Sequence, residues 1–159
     1  MYRKVEDFLT DWTKSSNGTV QVLESLTDDT LGQAIVEGHS TLGWLGWHLA
    51  TAQAYFGSLV GLNVKIDGDV NTVPQRASQI ADAYKKAAES LKREAEQKLS
   101  DEKLEENVDA HGTPTPRGAL LRTLIDHQTH HRGQMTVLLR QAGLPVPGVM
   151  GPTKEMQAK

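Results

Sequence analysis

Cysteine is absent from all 159 residues of the chain. Disulfides, thiolate metal sites and a cysteine nucleophile are therefore excluded, and any metal must be held by nitrogen or oxygen ligands. Nor is there an excess of positive charge: 17 Lys and Arg stand against 20 Asp and Glu, a formal charge of −3 at pH 7. That balance argues against a general nucleic-acid binder, which needs cations to neutralise phosphates. No uninterrupted apolar run is long enough to span a bilayer. The stretch MYRKVEDFLTDW is charged and amphipathic and lacks the apolar core of a signal peptide. Internal repeats and low-complexity tracts are also missing. The expectation is a cytoplasmic protein without nucleic-acid or membrane partners, with a single domain over residues 1–159 that can bury a core unaided by disulfides.

What is present is helical periodicity, and the pattern predicts four helices. The first covers roughly 2–26, where Val5, Phe8, Leu9, Trp12, Val20, Leu23 and Leu26 recur at near-helical spacing, with a local irregularity expected at Gly18. The second runs from about Ser40, read as its cap, to Val60, and Gly61 closes it. The third opens with Thr72 as cap, Pro74 in the first turn and Gln75 in the reciprocal capping position. Its stripe is Ile80, Tyr84, Ala87, Leu91 and Ala95, and its charges form a solvated face. The fourth starts with Thr115 as cap and Pro116 at the first helical position, and it stops at Gly143. The tail, about 144–159, is too rich in Pro and Gly to continue a helix and is read as irregular, packing along the bundle. No segment reads as strand. The expected class is all-α, a four-helix bundle of up-down-down-up topology with a long crossover between helices 2 and 3.

The stretch DHQTHHRGQM in the fourth helix places three histidines within five residues. With His127 at zero on a helical wheel, His131 falls at about 40° and Gln134 at about −20°, on the stripe of Leu120, Leu124 and Leu138. His130 lies about 60° to the other side, at the stripe's edge, and is the weaker ligand candidate. On the second helix His48 shares a stripe with Trp44, Leu45, Ala52, Tyr55 and Leu59, which points it into the core. Three inward imidazoles carry six ring nitrogens that need partners, and a shared divalent cation satisfies much of that need. The alternative is a set of hydrogen-bonded core histidines without metal. His39 and His111, next to turn residues, read as exposed side chains, and Trp44 and Trp47 read as packing, with Trp44 near enough to line a pocket.

The zinc-protease motif H-E-x-x-H carries a general base after its first His, where this chain has Gln128; protease chemistry is disfavoured. WLGWHLA in the second helix, HQTHHRGQM in the fourth and the following LLRQAGLPVPGVMGP closely resemble the DinB branch of the DinB/YfiT-like superfamily of bacterial metal-binding four-helix bundles. That branch is unrelated to the DNA polymerase that shares the name. The resemblance spans nearly the whole chain and implies a divalent metal, commonly nickel or zinc, on His48, His127 and His131. It also implies a homodimer, a link to stress response, and kinship with S-transferases and isomerases that use bacillithiol, mycothiol or glutathione.

Three neutral imidazoles leave an ion its full charge and at least one open position, which suits a thiol or another small anionic ligand. No convincing general base is at hand: Tyr55 can donate a hydrogen bond and Gln134 can orient a ligand, but neither is a base at neutral pH. Thiol transfer is therefore expected ahead of hydrolysis, and the competing class is a non-enzymatic, metal-stabilised dimeric binding protein. A second apolar row on the fourth helix, Leu121, Ile125 and Leu139 with Arg132 among them, is expected to form the dimer contact.

Overall fold

A computed structural model describes residues 1–157. Four long helices dominate: α1 (Val5–Glu24), α2 (Leu42–Leu59), α3 (Ala77–Lys98) and α5 (Arg117–Gln141), with the short helices α4 (Asp101–Glu105) and α6 (Lys154–Gln157) between and after them. Both α1 and α2 pack against α3 and α5. One core lies between the four, with Phe8, Trp12, Leu49, Ile80, Leu91, Leu121 and Leu124 fully buried in it. The third-helix stripe of Ile80, Tyr84, Ala87, Leu91 and Ala95 is buried as its periodicity demands.

The starts of all four long helices differ from local expectation. Thr41, one residue beyond Ser40, caps α2 by accepting the amide of Trp44 at 3.0 Å. Thr72, Pro74 and Gln75 lie ahead of α3, whose Ala77 amide is taken by the carboxylate of Asp28 at 2.7 Å. That cap comes from 49 residues upstream, so no local pattern records it. Likewise Asp101 accepts the Val5 amide at the start of α1. Thr115 and Pro116 are not the first turn of α5 but the end of a strand.

Strands do exist: β1 (Asn107–Ala110) and β2 (Thr113–Pro116) form an antiparallel hairpin with Ala110 opposite Thr113. The two-residue turn is His111-Gly112, with φ of 55° and 82°, the left-handed pair that a tight type I′ turn requires. Pro114 and Pro116 oppose Asp109 and Asn107. These are alternate rungs, where the missing amide hydrogens cost the ladder nothing.

Gly18 does not interrupt α1. Its missing side chain serves packing instead, since a Cβ there would overlap the Val149 side chain of the tail. The tail is seated along the bundle through Val146, which is buried, and Val149, and it regains one helical turn in α6. The last two residues of the expected irregular tail lie outside the described residues.

The second apolar row of α5 faces inward. Leu121 and Leu139 are fully buried, Arg132 is 6% exposed, and Ile125 packs on the core. Because α5 touches α1, α2, α4 and β2, its wide apolar arc is consumed within its own fold and supplies no dimer face. No helix among the described residues is long and apolar enough to cross a membrane.

Candidate metal centre

Helix α2 presents His48, and α5 presents His127 and His131 one turn apart. Together the three offer ring nitrogens within 4.8 Å of one another. Nε2 of His127 stands 3.0 Å from Nε2 of His48 and 3.2 Å from Nε2 of His131. Nitrogen–metal bonds of about 2.0–2.1 Å place neighbouring ligand nitrogens about 3 Å apart, so the spacing fits a shared ion.

The hydrogen bonding favours the same arrangement. Nδ1 of His131 donates to the amide oxygen of Gln134 at 2.7 Å, which leaves the His131 Nε2 with its lone pair, the form a metal ligand needs. Nε2 of His127 faces two neighbours, yet one ring nitrogen carries either one hydrogen or one lone pair. Mutual hydrogen bonding therefore cannot satisfy all three rings, whereas a cation accepts all three lone pairs. Nδ1 of His127 is buried without a partner among the described residues.

Burial holds the His127 imidazole down at about 4, helped by the charges that His131, His48 and His130 would carry. Burial, and then His131, lowers His48 as well. Both rings are thus neutral at pH 7 and able to ligate.

His48 sits at the margin of the core rather than inside it. Leu45 and Ala52 of its stripe are buried, but Trp44 is 42% and Tyr55 46% exposed. Buried α2 positions centre on Leu45, Leu49 and Gln53, so the stripe through His48 is their flank. Trp44 is consequently not core packing; its ring stacks on His48 at 4.6 Å and 12°. Trp47 is buried and donates to the Val70 carbonyl.

Beside the histidines opens a cleft of about 560 Å³ lined by His48, Ala52, Tyr55, Phe56, Val70 and His127 among others. No carboxylate is among its lining residues. Tyr55 stands on its wall, with its hydroxyl hydrogen-bonded to the exposed His111 at the hairpin turn. His130 is exposed and places its ring 4.9 Å from that of His131. His39 is exposed too. Asp126 pairs with Arg122 rather than with a histidine.

The DinB family model matches residues 1–159. The chain belongs to the DinB family. Among this family chain's relatives, the uncharacterized protein YrdA of Bacillus subtilis (strain 168) is 40% identical over 159 residues, covering 100% of this chain and 95% of that one. A crystal structure of a DinB-like protein from Bacillus cereus ATCC 10987 is similar with a TM-score of 0.88 and 43% identity over 93% of this chain and 99% of the other. The DinB-like protein YjoA of Bacillus subtilis shares the fold at a TM-score of 0.69 and 19% identity, over 92% and 99% of the two chains.

In this DinB-family chain one participant escaped the sequence patterns. Gln128, between His127 and the other histidines, is fully buried. Its Oε1 accepts Tyr84 Oη at 2.7 Å and Thr19 Oγ1 at 3.0 Å, and its Nε2 donates to the Leu49 carbonyl at 3.4 Å. The residue that takes the place of a protease's catalytic Glu thus ties α5 to α1, α2 and α3. A polar residue on the core side of the helix, about one turn before Arg132, was the available signal.

Proposed function

We propose that the chain is a metal-dependent enzyme that binds one divalent ion, nickel or zinc, through His48, His127 and His131 and acts on a low-molecular-weight thiol, as a thiol S-transferase does. The carrying observation is the convergence of three imidazole nitrogens beside a largely apolar cleft whose lining includes no carboxylate. When bound, such an ion supplies Lewis-acid stabilisation of a sulfur or oxygen anion at a position the protein leaves open.

The chain's own residues do the rest. Neutral His48 and His127 offer lone pairs, and Gln134 fixes the His131 ring. Trp44 stacks on His48 and limits its rotation. Ala52, Phe56 and Val70 give the cleft an apolar lining, which lowers the polarity around a bound ligand and strengthens its electrostatic contacts. The Tyr55 hydroxyl can donate a hydrogen bond to a bound cosubstrate. In transfer, the thiol proton goes to solvent, and a sulfur–carbon bond forms as the carbon's bond to its leaving group breaks.

A cytoplasmic homodimer belongs to this reading. Ile35 and Val137 line one surface hollow and are 51% and 45% exposed; they are apolar surface a second copy can cover. The test is a titration of nickel-loaded, untagged protein with bacillithiol, mycothiol and glutathione. Sulfur-to-nickel charge-transfer absorption that saturates with one thiol, and transfer to an electrophile, is the expected result. Failure to bind any thiol, with ester turnover instead, would establish the hydrolase reading.

A further inference from the structure

Arg132 is a buried cation without an anion. It is 6% exposed, and none of the ion pairs among the described residues includes it. Its Nη1 donates to the Ser15 carbonyl at 2.7 Å, to Ser15 Oγ at 2.8 Å and to Thr19 Oγ1 at 3.1 Å, and Nη2 donates to Thr129 Oγ1 at 3.3 Å. Every one of these acceptors is neutral. A guanidinium carries five N–H groups in a fixed fork, and the edge shared by Nε and Nη2 is one that grips a carboxylate or phosphate with two parallel bonds. Nε has no acceptor among the described residues, so half of that fork is unused.

The same residue lines a cleft of about 480 Å³ between α5 and the tail, within the size range of small-molecule sites. Two more cations stand on its wall. Arg140 is paired with Glu155 at 2.6 Å, while Lys154 has no ion-pair partner among the described residues. Val22, Val146, Val149 and Met150 give the cleft an apolar side. It shares no lining residue with the cleft at the histidines.

A guanidinium taken out of water and left uncompensated is costly, and neutral hydroxyls and one carbonyl relieve only part of that cost. We infer that this cleft binds a small organic anion, a carboxylate or phosphate monoester on an apolar body, with Arg132 as the forked anchor and Lys154 as a second charge. The purely structural role, Arg132 tying α5 to the Ser15 carbonyl of α1, needs neither the free Nε nor Lys154.

The experiment uses the full chain carrying His48→Ala, so that anions bound at a metal are not read by mistake. Phenyl phosphate, benzoate and inorganic phosphate are titrated at constant ionic strength by calorimetry, with amide chemical shifts followed in parallel. One of the two organic anions should bind saturably, one per chain, with shifts centred on Thr129, Gly133 and Lys154, and the tighter one identifies the head group. Arg132→Lys keeps the charge but loses the fork, and should weaken binding by about tenfold or more. Lys154→Gln leaves the core untouched and should weaken it severalfold, which decides the matter alone if Arg132→Lys does not fold. Absence of saturable binding by either organic anion, or binding indifferent to both substitutions, would overturn the inference.

Discussion

Nε2 of His48 and Nε2 of His127 stand 3.0 Å apart across the contact of α2 with α5, although 79 residues separate them in the chain. A third nitrogen lies 3.2 Å from His127, and the one hydrogen or lone pair on His127 Nε2 cannot serve both neighbours, whereas an ion takes all three as ligands. An ion bound to the folded chain alone should therefore stabilise it. With free nickel or zinc at about 100 times its Kd, the gain is about 2.7 kcal/mol, or about 5–10 °C in Tm for a domain of this size. Differential scanning calorimetry should show that rise in the wild type and none in His48→Ala or His127→Ala.

Gln134 sets the tautomer of His131 from three residues away. Gln134→Ala removes the acceptor and should lower metal affinity about 10- to 100-fold, the usual effect of losing such a partner. Gln134→Glu, which keeps an acceptor oxygen, should retain most of it. Competition against a chromophoric chelator measures both.

Acid should weaken the metal-free fold through His127. Its imidazole titrates near 6.5 in the unfolded chain and at about 4 in the folded one. Between those values the unfolded state binds more protons, so this contribution is complete above about 6.5 and lost as pH falls to about 4. His48, lowered in the same direction, adds to the trend. Protons compete with the ion for these nitrogens, so metal should leave over the same window. Urea midpoints of wild type and His127→Ala, taken from pH 7.5 to 4.5, should converge as pH falls; parallel curves would contradict the prediction.

Gln128→Leu should destabilise the protein by about 1–3 kcal/mol, because it strands the buried hydroxyl of Tyr84 and removes one of the acceptors of Thr19. Tyr84→Phe in the same background should cost less than it does alone, since the two share one hydrogen bond. Denaturant melts of the four proteins provide the cycle.

Gly18→Ala gains about 1 kcal/mol of intrinsic helix propensity, yet it should lower stability. The new methyl meets Val149 and pushes the tail off the bundle. Faster proteolysis between Val146 and Thr153 is the specific sign; an unchanged cleavage rate with a higher Tm would show that the tail yields easily.

How far the sequence carries this structure depends on the range of each interaction. Periodicity along one helix located the four long elements, the stripe of α3 and the pairing of His127 with His131, because those relations repeat every turn. The WLGWHLA and HQTHHRGQM segments joined His48 to that pair through a family resemblance. What was not legible came from elsewhere in the chain. Asp28 caps α3 from 49 residues away, and the tail occupies the space at Gly18. Prolines in TPTP concealed a strand, since a two-stranded ladder tolerates them on alternate rungs. The apolar arc of α5 showed its width but not that α1 and α2 together fill it.

The most direct test of the metal centre is elemental analysis of untagged protein beside His48→Ala. Close to one nickel or zinc per wild-type chain is expected, and almost none in the variant, whose missing ligand lies on a different helix from the other two. Folded wild-type protein that holds no metal after reconstitution, or a variant that holds as much, would contradict it.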